Sequence, residues 1–557
     1  MYIIMIRKFF FVFFLLSVTV FVFAKDTYPA SKLPQRVYPS TLDEQLKVLK
    51  DDPQVKFFNQ NRVKLGKDPY RPIYHFSSPE SILHDPNGLC FWQGKWHLFY
   101  QYIPAKDYRQ HWGHAVSDDL IHWIDLPVAL YPVPENMVYS GATFVEEGRV
   151  VAMYNGVGIG TMVAVSSDPL LLNWEKIAIP ALTNIDKSGN RLPFSVGDAN
   201  IWKIDDTYYS VTGGGRKATG PGGLRMRESW LFSSKDLVNW TPRHEFMVNE
   251  RFLLPGDDAA CPYFWPIGNQ YIFFLYSHMT GGQYLIGDYD KEKQLFYPKQ
   301  HGKSNFMSFL PGGVHAPSAY PDGDGGVVVL YNMHQGTKTP GWRGITTLPR
   351  RFSMTPEQKL RIEPYGNYKS LRTKSVSIAK KKLHANKEII LPEIKGNAYE
   401  LIIEVDVKES PMFELNILRS PEKEEFTSIK FFKDRGFPLD RLDSNLKGRF
   451  QSIVSVETAY SSILPDVKSR APEIAPVVLE KDEKLKLHVF VDKSVVEVFV
   501  NDKQAISVRV YPGREDSHGI SLRSQGGDAE LISLNFWQMK SIYNELKNDF
   551  ILSNTAN

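Results

Sequence analysis

His84-Asp85-Pro86-Asn87-Gly88-Leu89-Cys90-Phe91-Trp92-Gln93-Gly94-Lys95-Trp96-His97-Leu98-Phe99-Tyr100-Gln101-Tyr102 holds both the repeating unit of the fold and the first candidate carboxylate. Two aromatic runs, ending at Trp92 and starting again at Trp96, are separated by Gln93-Gly94-Lys95, which reads as two short strands joined by a tight turn. The unit recurs down the chain at long, irregular intervals. Strand-like runs from Val150 to Tyr154, Tyr208 to Thr212 and Tyr271 to Tyr276 follow the turn pairs Gly148-Arg149, Asp205-Asp206 and Gly268-Asn269. Repeated hairpins of this kind predict the blades of a β-propeller.

Beyond this region the pattern changes. Residues 366–384 include Lys380-Lys381-Lys382 and are read as a linker. After it, Leu485, Leu487, Val489 and Val491 alternate, as do Val496, Val498 and Val500, before an Asn501-Asp502 turn and the run Ala505 to Val510. That alternation suits an antiparallel sandwich. The clearest helix is at 41–50, where Thr41 precedes Glu44 by three positions and Leu42, Leu46 and Leu49 share a face. The expected fold is all-β, a propeller followed by a C-terminal β-sandwich. The expected boundaries are a signal peptide at 1–24, an N-terminal extension at 25–69, the propeller at 70–365, the linker, the sandwich at 385–540 and a tail at 541–557.

A chain of 557 residues favours more than one core. Apolar residues at 43% against charged residues at 23% argue against wholesale disorder and against a coiled coil. A formal charge of +4 is too small at this length to mark a nucleic-acid footprint. The two cysteines, Cys90 and Cys261, cannot build a disulfide framework or a four-thiolate metal site and read as buried thiols. Arg7 and Lys8, the apolar run Phe9 to Phe23 and then Ala24 have the order of a secretory signal, which predicts a secreted or periplasmic protein. No later run reaches the ~20 residues of a spanning helix, so stable membrane insertion is not expected after cleavage.

Asp85 lies in a turn where Pro86 restricts the backbone and Gly88 permits an unusual dihedral. Such residues dominate turns for conformational reasons alone, and the motif gains meaning from its neighbours. These are Tyr74-His75-Phe76, Trp112-Gly113-His114-Ala115-Val116-Ser117, Asp119-Leu120-Ile121-His122-Trp123, Tyr139-Ser140-Gly141-Ala142-Thr143, Ala164-Val165-Ser166-Ser167-Asp168-Pro169 and Gly282-Gln283-Tyr284-Leu285-Ile286-Gly287-Asp288-Tyr289-Asp290. In this order the blocks resemble glycoside hydrolase family 32, the invertase, levanase and inulinase family. The segment from Phe490 to Asn501 looks like that family's accessory sandwich.

The resemblance implies a five-bladed propeller whose central funnel holds three acidic residues. It also implies retaining cleavage of β-fructosidic bonds in sucrose, fructo-oligosaccharides or fructans, with a carbohydrate as partner and neither cofactor nor metal. Asp85 matches the nucleophile of the family's Asn-Asp-Pro-Asn-Gly motif, with His84 in place of the first Asn. Asp198, in Val196-Gly197-Asp198-Ala199-Asn200, matches the acid of an Arg-Asp-Pro motif that holds sugar hydroxyls, but lacks its Arg and Pro. The family's acid/base Glu precedes Cys-Pro-Asp; here Gly256-Asp257-Asp258-Ala259-Ala260-Cys261-Pro262-Tyr263 puts Ala260 at that position.

If this segment is extended, parity sets Asp258 on the face of Ala260 and Asp257 on the other. Asp258 is then the expected substitute acid, roughly 6.5 Å out of place; Asp257, an acid from outside the block, or a mere turn role for the pair remain alternatives. The resemblance also implies that Asn87, Gln101, Trp112 and Ser140 line the sugar pocket, amides and hydroxyl bonding sugar hydroxyls and the indole stacking on the ring, with core packing the alternative for Gln101 and Trp112 and a turn role the alternative for Ser140. His111 and His114 lack companion ligands at metal-site spacing, and Gly213-Gly214-Gly215 lacks the ending of a phosphate loop. Two other readings stay open: a carbohydrate-binding protein that lost catalysis with its Glu, and a propeller glycosidase for another glycoside.

Overall fold

The computed structural model describes residues 28–543 apart from 187, 214, 217–225, 228, 249–253, 255 and 442–443. The expected signal segment and Gly214 therefore lie outside the described residues. The described chain is all-β apart from two α-helices and short 3-10 turns.

Helix α1 spans Leu42–Leu49, as the leucine spacing predicts, but the Thr41 hydroxyl bonds the Glu44 carboxylate at 2.7 Å and caps no backbone group. A second helix, α2, spans Pro53–Leu65 and is not legible as an apolar stripe. Asp52 caps it, accepting from Gln54 N and Val55 N, and Pro53 takes the first turn where its missing donor costs nothing. Its buried face pairs Val55 and Phe58 with Arg62, whose guanidinium binds buried Asp125. The extension is thereby fastened to the first sheet.

Between Ser81 and Pro364 the chain builds five principal sheets in sequence order. Their first strands are Ser81–Trp92, Val138–Glu146, Ala199–Ile204, Ala260–Ile267 and Val314–Pro321. The first of these adjoins the second and the fifth, the second adjoins the third, the third the fourth, and the fourth the fifth. Trp342–Arg343, returning from the fifth sheet, pairs parallel with Ser81 and Ile82 and ties the last sheet to the first.

Four of these five inner strands lose register with their neighbour near their start. The interruptions fall between Leu83 and Pro86, Val138 and Gly141, Ala260 and Tyr263, and Val314 and Pro317. Bulges bend a strand and re-aim the side chains they release from the ladder. The released residues include Asp85, Ser140, Cys261 and His315, and these meet.

Gly88 lies in a second interruption of the first strand, between Asn87 and Cys90, and shows how tightly it is packed. It has φ +50°, and a Cβ there would lie 2.7 Å from Thr143 Cγ2 and 3.1 Å from the Phe99 ring. Gly88→Ala is expected to cost about 2 kcal/mol through backbone strain and overpacking, read as a lower denaturation midpoint at unchanged m-value. No loss of midpoint would show that the strand can shift to accept a methyl group.

Two further sheets occupy Arg372 to Met539. Leu485, Leu487, Val489, Val491, Val496, Val498 and Val500 are all buried in the core between them, as their alternation predicts. Residues 366–384, expected as a linker, are corrected here: Arg372–Ile378 and Lys381–Leu383 both pair with Ala529–Met539, so the lysines sit on an edge of the sheet. Exposed lysines are a common way to protect such an edge.

The two halves are joined by a buried charge cluster. His75 Nδ1 lies 2.9 Å from Asp492 Oδ2 and its Nε2 lies 3.0 Å from Glu497 Oε1. Glu497 also accepts from Arg350 Nη2 at 2.9 Å, Leu348 N at 2.7 Å and Ser507 Oγ at 2.6 Å. Burial alone would lower the His75 pKa, but its bonds to Asp492 and Glu497 carry it up to about 9.

Candidate active site

Asp85 sits 9% exposed at the first bulge, with both carboxylate oxygens engaged. Ser140 Oγ donates to Oδ2 at 2.7 Å, while His315 Nδ1 lies 3.0 Å and Asn332 Nδ2 3.4 Å from Oδ1. Burial pushes its pKa up, yet the His315 charge and hydrogen bond, then Ser140, outweigh it and hold the carboxyl well below the usual range. Asp85 is therefore an anion at any ordinary pH, which a nucleophile requires.

Asp198 precedes the third inner strand and is held by neutral donors: Cys261 N at 3.1 Å, Cys261 Sγ at 3.6 Å and Asn155 Nδ2 at 3.5 Å. With no arginine among these partners, burial dominates and, with the Asp85 charge added, raises its pKa to about 6 despite the Cys261 amide. Cys261 Sγ also lies 3.8 Å from Asp85 Oδ2, so the two carboxylates flank one thiol. The two remote aspartates thus meet beside one thiol with their acidities shifted in opposite directions.

Gln101 and Ser140 are placed beside Asp85, and the structure gives them a further role. Gln101 Nε2 donates to Ser140 Oγ at 2.7 Å and Ser140 donates onward to Asp85, a relay that orients the carboxylate. Asn87 is buried next to it; its Oδ1 accepts weakly from Gly141 N at 3.4 Å and its Nδ2 has no partner among the described residues.

Trp112 requires a correction. It is fully buried, stacks on Phe99 at 5.6 Å, packs against Tyr154 and donates Nε1–H to Tyr139 O, so neither indole face is open to a sugar. His111 and His114 lie in one strand, bonded to Ser31 and Arg109 and to His97 respectively.

The strand parity drawn through Asp258 does not hold. The fourth inner strand starts only at Ala260, and Ala259 and Cys261 take left-handed φ of 51° and 49° on either side of it. Asp258 turns instead to His278, bonding its N at 3.1 Å and its Nδ1 at 2.7 Å. Asp257 is buried and accepts from Leu254 N, Thr280 Oγ1 and Gln283 Nε2.

Sequence reasoning missed a group of histidines. His315 rings lie 5.4 Å from His278 and 5.0 Å from His334, and His334 is 5.8 Å from His84. Arg343 Nη2 approaches His84 Nε2 at 3.4 Å. The one local signal was His84 in place of Asn beside Asp85.

Two family models match the chain: the glycosyl hydrolases family 32 N-terminal domain over residues 75–364 and the family 32 C-terminal domain over 367–538. A fructan 6-exohydrolase of Beta vulgaris is 25% identical, the alignment covering 90% of this chain and 91% of that protein. A levanase of Bacillus subtilis is 26% identical over 85% and 71%. Among solved structures, fructan 1-exohydrolase IIa from Cichorium intybus superposes with a TM-score of 0.72 at 21% identity, covering 85% of this chain and 98% of that one.

Proposed function

The chain belongs to glycosyl hydrolase family 32, and on that premise we propose that it removes fructosyl units from sucrose, fructo-oligosaccharides or fructans with retention of configuration. It is a glycoside hydrolase of the β-fructosidase kind. The single observation that carries the finer reading is the convergence of Asp85 and Asp198 on Cys261. Asp85, anionic and held on both oxygens, attacks the anomeric C2 of the fructosyl unit; Asp198 receives its hydroxyls. Charge spreads over C2 and the ring oxygen in an oxocarbenium-like transition state, which the adjacent Asp85 anion stabilises.

The cyclic adjacency of the inner strands supports reading the five sheets as blades of a propeller around this site. Export is proposed from the basic, apolar and small-residue order of residues 7–24.

A panel of sucrose, inulin, levan and non-fructose glycosides, with product anomer followed by NMR, tests the proposal. Fructose release from at least one fructoside, appearing first as the β-furanose, is expected. Initial α-furanose would contradict a covalent route. Fructan binding without turnover would favour the reading as a binding protein, and release from another glycoside alone would reassign the substrate.

A further inference from the structure

With Ala260 at the usual acid position, the departing oxygen needs a proton from elsewhere. Around the site, Asp257 is turned away and hydrogen-bonded, and the Tyr276 phenol is made a weak acid by burial and by the Asp85 charge. Asp258 has both carboxylate oxygens on His278. His278 differs from its neighbours. Its side chain is 53% exposed, and Nδ1 is fixed by Asp258. Its Nε2 has no hydrogen bond among the described residues. Its ring stands 5.4 Å from that of His315, which holds Asp85 Oδ1 at 3.0 Å. One imidazole thus separates it from the nucleophile.

We infer that His278 is the proton donor to the leaving oxygen, with Asp258 as its positioning residue. The inference rests on the proposed function. In the first step an Asp85 oxygen bonds to C2 and the C2–O bond to the leaving group breaks, its electron pair staying on the departing oxygen. The proton on His278 Nε2 moves to that oxygen, giving an alcohol and a neutral imidazole. In the second step a water oxygen bonds to C2, the ester bond to Asp85 breaks and the neutral Nε2 takes a proton from the water. Fructose leaves, and carboxylate and imidazolium are restored.

The environment suits the role. The Asp258 hydrogen bond raises the His278 pKa, burial opposes it, and the charges of Asp258, Asp85 and Asp198 add to the rise. The other groups facing the ring are His315, Tyr276 and Phe309. The carboxylates facing the ring thus favour its protonated form.

The test compares sucrose with para-nitrophenyl β-D-fructofuranoside, whose leaving group departs without a proton. His278→Gln is expected to lower kcat on sucrose by roughly 10²–10⁴-fold. Release of nitrophenolate in the first turnover should stay near the wild-type rate, and added azide should restore turnover as fructosyl azide, since its attack needs no base. Asp258→Asn is expected to move the basic limb of kcat/KM on sucrose to lower pH. In the wild type that limb should be present for sucrose and absent for the aryl fructoside.

Equal losses on both substrates, unchanged sucrose hydrolysis in His278→Gln, or identical basic limbs in the wild type would overturn the inference. Failure of the underlying function looks different: Asp85→Asn would then still turn over one of the substrates.

Discussion

Asp85→Asn lowers kcat/KM on the best fructoside by about 10⁴-fold or more, the scale on which loss of a covalent nucleophile is felt. The amide keeps the volume and most of the hydrogen-bonding shape of the carboxylate but cannot attack C2. The fold should survive. Asn at this position keeps one acceptor oxygen, and so one side of the Ser140 and Asn332 pair of bonds, and loses the other side together with the attraction between the carboxylate and His315. Far-ultraviolet circular dichroism and the thermal midpoint check that point. Substantial hydrolysis by a folded Asp85→Asn protein would remove Asp85 from the chemistry.

Glu497→Ala destabilises the protein by about 3–5 kcal/mol, because it strips a buried charge partner from both His75 and Arg350. The His75, Glu497 and Arg350 side chains are each at most 1% exposed. The pH dependence follows from the same cluster. Glu497 is driven upward by burial but brought down to about 2 by the His75 bond and the Arg350 charge. Its stabilisation is full above the ordinary carboxylate value near 4.5 and is lost as pH falls toward 2. His75 runs the other way. Its contribution is full below the ordinary value of 6.5 and is lost as pH rises through about 9. Thermal midpoints of the wild type should hold a plateau between these limits and fall on both sides. A wild-type curve that is flat from pH 7 to 10 would show that His75 carries no charge in the fold.

The strands and the first aspartate were legible because they depend on local pattern. Alternation at Leu485–Val491 and the hairpin after Trp92 are properties of a few neighbouring residues. Helix α2 was obscured because its buried face includes Arg62, whose burial depends on Asp125 sixty-three residues later. The lysine stretch read as solvated linker because the sheet edge that receives it lies at Ala529–Met539.

The site divides along the same line. Asp85, Asp198, Gln101 and Ser140 were found and do converge, but the roles of Gln101 and Ser140 as a relay depend on bulges that no residue pattern announces. His315 is 230 positions from the carboxylate it holds. Asp258 was identified as relevant by its proximity to Ala260, yet its direction is set by the left-handed backbone at Ala259, an alanine that gives no local sign of it. Trp112 shares its residue type with sugar-stacking positions, and only packing against Phe99 and Tyr154 distinguishes it.

The central claim is a covalent bond between Asp85 and C2 of fructose. Rapid acid quenching during turnover, followed by peptide mapping by mass spectrometry, measures it directly. The expected result is one fructosyl group, located on the Asp85 carboxylate and absent from Asp85→Asn. A fructosyl group on another residue, or active enzyme quenched in steady turnover with no labelled peptide under conditions that preserve a glycosyl ester, would contradict it.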